Sequence, residues 1–277
     1  MITFEYFFML PIAFIIATIA MSTLVGGATF FAPIFILILK LEPSVAIAVA
    51  LITQTFGFGT GLIRYIRQKG IDYAMGFSLV LITIPYSIIG SYLSTILNPY
   101  FIRILLGFML IYIGHNLLIK DTITVKKKGK IIRKFELPLN SRNNKRIQLT
   151  PEQMQKSIFR TSMSSLFLGM TSAGLGEVLG FDWIKKTNAN LKTIVATTVF
   201  VIAITTFVTS ISHFYNLFTT NIEGLKQSIN ILIFTIPGVI AGGFFGTSLI
   251  DKINQNMLLK TISIFLIIAG AICFLPI

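Results

Sequence analysis

Eight long apolar runs divide the chain and constrain its fold more than any other feature. They lie at about 7–39, 43–63, 73–97, 100–119, 158–184, 191–213, 227–250 and 257–275. Most are near 20 residues, the length with which one tilted helix crosses a bilayer. Because 54% of the residues are hydrophobic and only 12% are charged, we predict an all-α polytopic membrane protein and not a soluble domain.

A polar insert separates the first four runs from the last four. Residues 120–157 are rich in Lys and Arg, which is typical of cytoplasmic segments. We therefore predict a first transmembrane repeat at 1–119, a basic cytoplasmic insert at 120–157 and a second transmembrane repeat at 158–277. Residues around KKGK in the insert predict a small exposed hairpin, and TPEQ at 150–153 predicts a helix start with Thr150 as N-cap.

Short strings recur in the same order in the two halves. TIPYSIIG at 83–90 matches TIPGVIAG at 235–242, and GFMLIYIG at 107–114 matches SIFLIIAG at 263–270. Internal repeats of this kind are common in transporters, where substrate sites lie between the repeats. The pattern predicts two structurally related halves.

The two longest runs, 7–39 and 158–184, decide how the halves are oriented. If each run crosses the membrane once, the halves are parallel. If each bends and returns, every half has a re-entrant hairpin plus three crossings and the halves are inverted. With the insert inside, the parallel arrangement puts seven basic residues outside, namely Lys40, Arg103, Lys185, Lys186, Lys192, Lys252 and Lys260. The inverted arrangement puts three outside, Lys40, Arg103 and Lys226, so the positive-inside rule favours two inverted repeats.

The same two runs contain glycine clusters. Residues 26–29 read Gly26-Gly27-Ala28-Thr29, and the second run contains Gly174 and Gly176. Glycines permit a turn inside the membrane, and the helix that follows a turn offers free amides and a positive dipole end that bind anions. These residues are predicted to bind substrate. The alternative is that the glycines only allow close helix packing.

Polar residues elsewhere in the spans extend the candidate site. Gln54 offers two donors and an acceptor in an otherwise apolar helix. Hydroxyl residues that share one helical face are Thr198, Thr205, Thr209 and Ser212. Such a face can bind anion oxygens, or it can satisfy its own helix and join neighbouring helices.

Glu177 is the one acidic residue deep inside an apolar run. A charge at that depth is costly, so Glu177 is a proton-coupling candidate. The alternative is a carboxylate at a turn that is paired with a nearby amide or with Lys185. Asp182, Trp183, His115 and His213 are predicted to be interfacial, because they stand near the ends of runs.

The sequence lacks the motifs of several classes of enzyme. The chain has no GxxxxGK[ST], HExxH, GxSxG or CxxC pattern, so we expect no enzyme activity, no cofactor and no metal site. The single Cys273 excludes an internal disulfide. The formal charge of +13 is interpreted as basic loops that face anionic lipid and not as a nucleic-acid surface.

The stretch GGATFFAPIFILILKLEPSVAIAVALITQTFGFGTGLIRYIRQKGIDY, residues 26–73, resembles the sulfite exporter TauE/SafE family. The second half repeats the pattern as GMTSAGLGEVLGFDW followed by LKTIVATTVFVIAITTFV. The resemblance implies a carrier of small anions and places Gly26, Gly27, Ala28, Gly174 and Gly176 in the family's two glycine motifs. Thr197 and Thr198 stand at the head of the following helix. The chain departs from the family pattern at Ala28, Glu177, Val178 and Trp183.

Together these observations predict a secondary transporter of a small anion, such as sulfite or an organosulfonate, in the bacterial inner membrane. Its partners are the anionic substrate and the lipid bilayer, with no nucleic acid, and assembly into a homo-oligomer is left open. One alternative is a carrier of a neutral or cationic solute that uses Glu177. Another is a membrane scaffold that docks a partner through the basic insert.

Overall fold

The computed structural model describes residues 4–23, 25–127, 147, 149–186, 189, 191–249 and 255–275. All regular elements within these residues are helical, which confirms the predicted all-α fold. After a short 3-10 helix at Phe4–Tyr6, the helices are α1 Met9–Thr23, α2 Gly27–Leu37, α3 Pro43–Arg67, α4 Tyr73–Ile96, α5 Pro99–Lys127, α6 Pro151–Thr171, α7 Leu175–Lys186, α8 Leu191–Thr220, α9 Ile222–Leu249 and α10 Gln255–Ile272.

Five of the described helices are long and apolar enough to cross a membrane. Their spanning segments are Pro43–Arg67, Tyr73–Ile96, Pro99–Leu118, Thr193–Thr220 and Ile222–Gly246. Shorter apolar helices occupy Met9–Met21, Gly27–Leu37 and Met257–Ile272. Large side chains such as Leu81 and Phe108 point outward from this bundle. An outward apolar surface is what a hydrocarbon solvent requires of a helical membrane protein.

Both long apolar runs break at their glycine clusters. The first run divides into α1 and α2 around residues 24–26, and the second divides into α6 and α7 around residues 172–174. At the second break Ser172 and Gly174 have positive φ angles of 63° and 111°, a conformation that turns the chain sharply. The chain then reverses, because Trp183 near the end of α7 bonds to Ser157 near the start of α6.

Local signals explain several helix starts. Thr150 caps α6 with the reciprocal Gln153 contacts of a capping box, and Pro151 is the first helical residue, which confirms the helix start predicted from TPEQ. The hairpin predicted around KKGK is wrong up to Lys127, because α5 continues to that residue. Residues 128–146 lie outside the described residues. The division into 1–119, 120–157 and 158–277 stays a prediction.

Two pairs of helices, each with one member from each half, run in opposite directions. Along α5 and α10, Gly107 lies against Gly270 and Gly114 lies against Ser263, so these two helices are antiparallel. Along α3 and α8, Thr55 bonds to Thr206. The start of α3 reaches the end of α8, because Glu42 accepts a hydrogen bond from Asn221.

Contacts between the halves occur in swapped pairs. Thr53 of α3 is hydrogen-bonded to Thr235 of α9 at 3.1 Å, and Thr83 of α4 is hydrogen-bonded to Thr205 of α8 at 2.6 Å. Thr205 and Thr235 follow Thr53 and Thr83 by the same 152 residues. The two bonds are therefore the same contact with the roles of the halves exchanged.

Two helix crossings form a second set of matching contacts, in which each half supplies the glycine once. Gly90 of α4 lies against the carbonyl group of Leu166 in α6, and Gly242 of α9 lies against the carbonyl group of Phe14 in α1. Glycine at these positions lets two backbones approach closely, as in other membrane helix pairs. The long helices α3, α4, α8 and α9 form the centre of the bundle, and the two hairpins α1–α2 and α6–α7 pack against them.

Candidate functional site

The tips of the two helical hairpins meet inside the bundle. The carboxylate of Glu177, in the first turn of α7, accepts a hydrogen bond from the backbone amide of Gly26 at 3.0 Å. The same oxygen, Oε1, accepts a second hydrogen bond from the hydroxyl of Thr29 at 2.8 Å. Glu177 is 4% exposed and Thr29 is 1% exposed, so both hydrogen bonds are buried in the protein.

Gln54 of α3 completes the arrangement. Its side-chain oxygen accepts a hydrogen bond from the amide of Ala28 at 2.5 Å. The first amides of a helix have no partner within the helix, and Gly26, the N-cap of α2, has no side chain with which to cap them. Acceptors from two other helices supply the missing oxygens. We call Gly26, Ala28, Thr29, Gln54 and Glu177 the tip site.

Two buried side-chain oxygens in the described part of the chain lack partners, and one of them belongs to the tip site. The second carboxylate oxygen of Glu177, Oε2, and the hydroxyl of Thr198 have no hydrogen-bond partner in the described part of the chain. Thr198 is 0% exposed. A buried polar atom without a partner costs free energy comparable to a lost hydrogen bond. Such atoms therefore mark a place where a ligand with complementary groups gains binding energy.

The space around the amide of Gly26 is filled by polar atoms. A Cβ atom on Gly26 would lie 3.1 Å from Gln54 Oε1, 3.2 Å from Thr29 Oγ1 and 3.6 Å from Glu177 Oε1. On Gly27 it would meet only ordinary contacts at 3.8 Å or more. Of the two adjacent glycines, Gly26 is the one whose missing side chain lets these three oxygen atoms approach the backbone closely.

The remaining predicted site residues occupy different places. Gly174 forms the second turn with its positive φ, and Gly176 is buried within α7. The hydroxyl of Thr197 accepts a hydrogen bond from the amide of Asp72 at 2.9 Å. Thr197 is therefore engaged at the link between α3 and α4 and is not one of the groups that contact Glu177.

A line of hydroxyl contacts runs between the central helices. Thr205 and Thr209, from the face predicted on α8, bond to Thr83 and Ser87 of α4. Thr206 bonds to Thr55. The sequence indicates the α8 face by its spacing, but the partners on α4 lie more than 100 residues away, and no local pattern identifies them.

Three residues predicted to be interfacial are buried. Asp182 is 8% exposed and accepts a hydrogen bond from Arg160 at 2.6 Å. Trp183 is 0% exposed and His213 is 1% exposed. His213 Nε2 donates to the carbonyl oxygen of Gly169 at 2.8 Å. The three side chains are buried because they contact α6, Asp182 and Trp183 from α7 and His213 from α8, and their interfacial position stays a prediction.

The described residues include no group of three or more His, Cys, Asp or Glu side chains placed to hold a metal ion. Within the same residues, the chemistry available at the tip site is hydrogen bonding. Two amides and a hydroxyl donate, while a carboxylate and an amide oxygen accept. Such a site can bind an oxyanion when the carboxylate moves away, or a donor-rich group when the carboxylate stays.

Comparison with known proteins assigns the chain to a family. The family model described as "Sulfite exporter TauE/SafE" matches residues 9–273. The "Probable membrane transporter protein YunE" of Bacillus subtilis (strain 168) is 25% identical over 231 residues, which cover 82% of this chain and 80% of that protein. No solved structure gives a significant match.

Proposed function

The chain belongs to the sulfite exporter TauE/SafE family of membrane transporters, and we propose that it is a secondary transporter of a small sulfur-containing oxyanion, such as sulfite or an organosulfonate. The observation that carries this proposal is the start of α2. Its amides at Gly26 and Ala28 already bind oxygen atoms that come from other helices. Helix N-termini with unpaired amides are favourable anion sites.

We propose further that the two halves are inverted repeats that give alternating access to the tip site. The antiparallel courses of α5 and α10, and of α3 and α8, support this orientation. The swapped threonine contacts support a two-fold relation between the halves. In repeat-built transporters the substrate lies at the interface of the repeats, and the tips meet at such an interface here.

The basic insert belongs on the cytoplasmic side in this proposal, and the membrane is the bacterial inner membrane. Asp72, between α3 and α4, accepts a hydrogen bond from the amide of Ile147 at the end of the insert. The amide of Asp72 bonds to Thr197 near the start of α8. These contacts support one common side for the insert, the α3–α4 link and the 185–192 region.

Labelling of single cysteines from either face of the membrane tests this sidedness. We expect cysteines placed at 130 and 188 to react with an impermeant reagent from the cytoplasmic face, and a cysteine at Lys226 to react from the outer face. The Cys273→Ser chain without an added cysteine is the control. Reaction of position 188 from the outer face alone would contradict the inverted arrangement.

Glu177 is the proton-coupling candidate of this transporter. Its carboxylate is buried at the tip site, and intramembrane carboxylates commonly serve as proton relays. Transport by the wild type should then depend on a proton gradient, and transport by Glu177→Gln should lose that dependence. An unchanged dependence in the variant would dismiss the role.

One observation favours a second candidate function. Oε2 of Glu177 is buried without a partner in the described structure, and a cationic or donor-rich solute would satisfy it. This carrier of a neutral or cationic solute uses the same tip site. A scaffold that docks a partner through the insert is the third possibility, and it gives the tip site no role.

Flux measurements separate these functions. Vesicles that contain the chain are loaded with labelled sulfite, sulfoacetate or methylammonium under a defined proton gradient, and empty vesicles serve as the control. We expect movement of the two anions and not of methylammonium. Movement of methylammonium alone would favour the cation carrier, and movement of none of the three would contradict the proposed function.

A further inference from the structure

Glu177 already holds the position in which an anion would bind. Its oxygen Oε1 accepts hydrogen bonds from the amide of Gly26 and from the hydroxyl of Thr29. These two donors belong to the first hairpin, whereas Glu177 belongs to the second hairpin, 151 residues away from Gly26. The carboxylate is thus an acceptor that the second half inserts into the donor group of the first half.

We propose that Glu177 is a tethered competitor of the transported anion, so that its carboxylate and the substrate occupy the donors of Gly26 and Thr29 in alternation. This inference rests on the proposed function and adds a rule to it. An anion can bind only after the hydrogen bonds between the two hairpin tips have broken. Binding of substrate therefore unlocks the two halves from each other.

The unpaired oxygen of Glu177 agrees with a site that has two states. In the described state Oε2 of Glu177 is buried without a hydrogen-bond partner. A carboxylate that served only to hold the tips together would be expected to have both oxygens satisfied, since most buried polar atoms are. Only Oε1 is bound to the first hairpin, so two hydrogen bonds must break for the carboxylate to move away.

The charges at the tip site also support competition between Glu177 and the substrate anion. Among the described residues, the groups that face the carboxylate are the hydroxyl of Thr29 and the backbone amides of Gly26, Gly174 and Glu177 itself, all neutral, and no Lys or Arg forms an ion pair with it. Two anions cannot share neutral donors without repulsion at low dielectric. The substrate anion and the ionised Glu177 therefore exclude each other from the tip site.

Formate tests the inference without any assumption about the substrate, because it is the head group of Glu177 without its tether. Full-length wild type, Glu177→Ala, Glu177→Gln and Glu223→Gln are purified and titrated with sodium formate, with sodium chloride as the salt control. Glu223 is an exposed acidic residue at the start of α9 and serves as the matched control. Thermal unfolding and tryptophan fluorescence are recorded together.

Tryptophan fluorescence has a single source in this chain. Trp183 is the only tryptophan, is fully buried, and lies on α7, the helix that carries Glu177. We expect Glu177→Ala to bind formate at least about tenfold more tightly than the wild type, because loss of a charge-assisted competitor is worth at least that factor. Glu223→Gln should behave as the wild type.

Sulfite provides the second arm and covers the case in which Glu177→Ala does not fold. Glu177→Gln keeps an acceptor oxygen for Gly26 and Thr29 but removes the charge, so its affinity for sulfite should exceed that of the wild type by about tenfold. Equal sulfite affinities in the two proteins would overturn the inference, as would a formate effect on Glu177→Ala no larger than that on the wild type.

The two proposals fail in distinguishable ways. If the wild type moves neither sulfite nor sulfoacetate in vesicles, the proposed function fails, whereas the formate titration still reports whether Glu177 blocks an anion site. If the wild type moves sulfite but the Glu177 variants bind formate and sulfite as the wild type does, the transporter stands and the tethered competitor is wrong.

Discussion

The two hairpin tips occupy related places in the fold but carry opposite chemistry. At the first tip Gly26 presents a bare backbone amide, and at the second tip Glu177, 151 residues later, presents a carboxylate. The first tip is a donor and the second is an acceptor, and the two are joined through Oε1 of Glu177. The two halves therefore differ at the tips, where one donates and the other accepts.

The helices around the tips differ much less between the halves. The bond between Thr53 and Thr235 has its counterpart in the bond between Thr83 and Thr205. The helices around the tips therefore make matching contacts, whereas the tips themselves do not match. If this contrast is correct, substitutions at the tips should have unequal effects in the two halves, and substitutions in the scaffold should have equal effects.

The largest effect is expected for Gly26→Val. A Cβ at Gly26 would already lie 3.1–3.2 Å from Gln54 Oε1 and Thr29 Oγ1, and two further methyl groups would occupy the donor side of the tip site. We expect transport in vesicles to fall by about tenfold to a hundredfold, since an overpacked site costs about 1–3 kcal/mol and about 1.4 kcal/mol corresponds to a factor of ten.

Gly59→Val is the control for that measurement. Gly59 also lies in an apolar helix, α3, but a Cβ there would meet nothing within 4 Å. Its transport should stay within about threefold of the wild type, because the side chain adds no clash. Equal losses in the two variants would mean that the tip site has no special role and would remove the contrast between the tips.

Local chemistry made part of this fold predictable. The capping box at Thr150 and the breaks at the two glycine clusters were readable because each depends on a few adjacent residues. The membrane spans were readable because hydrocarbon demands long apolar helices. Gly26, Ala28 and Thr29, which are predicted to bind an anion, lie together at the start of α2 because they are adjacent in the sequence.

Contacts between distant segments were not predictable in this way. Nothing near Glu177 in the sequence indicates that Gly26 and Thr29 are its partners, because the pairing depends on how two hairpins dock. The burial of Trp183 and His213 has the same origin. Thr197 was predicted from a local motif to bind substrate, but its hydroxyl accepts a hydrogen bond from the amide of Asp72.

A smaller and symmetric effect is expected at the helix crossings. A Cβ on Gly90 would overlap the carbonyl oxygen of Leu166, and a Cβ on Gly242 would overlap that of Phe14. Backbone atoms cannot swing aside as a flexible side chain can, so Gly90→Ala and Gly242→Ala should each lower the free energy of unfolding by about 2–3 kcal/mol. Thermal unfolding in one detergent measures both.

Gly59→Ala again supplies the control, and its stability should change by less than about 1 kcal/mol. The informative quantity is the ratio of the two losses. If Gly90→Ala destabilises strongly and Gly242→Ala does not, the crossings of α4 with α6 and of α9 with α1 are not equivalent. The symmetric scaffold would then be wrong even if the tips behave as expected.

The smallest effect, and the sharpest test of symmetry, lies in the swapped threonine pairs. Double-mutant cycles with valine, which keeps the shape and removes the hydroxyl, isolate the hydrogen bond within each pair. Interhelical hydrogen bonds in membranes average about 0.6 kcal/mol, so Thr53 with Thr235, and Thr83 with Thr205, should each give a coupling energy near that value. A cycle between Thr53 and Thr83, which have different partners, should give no coupling beyond the roughly 0.3–0.5 kcal/mol error of additivity. Coupling in only one of the two pairs would mean that the two halves differ in the helices around the tips as well as at the tips.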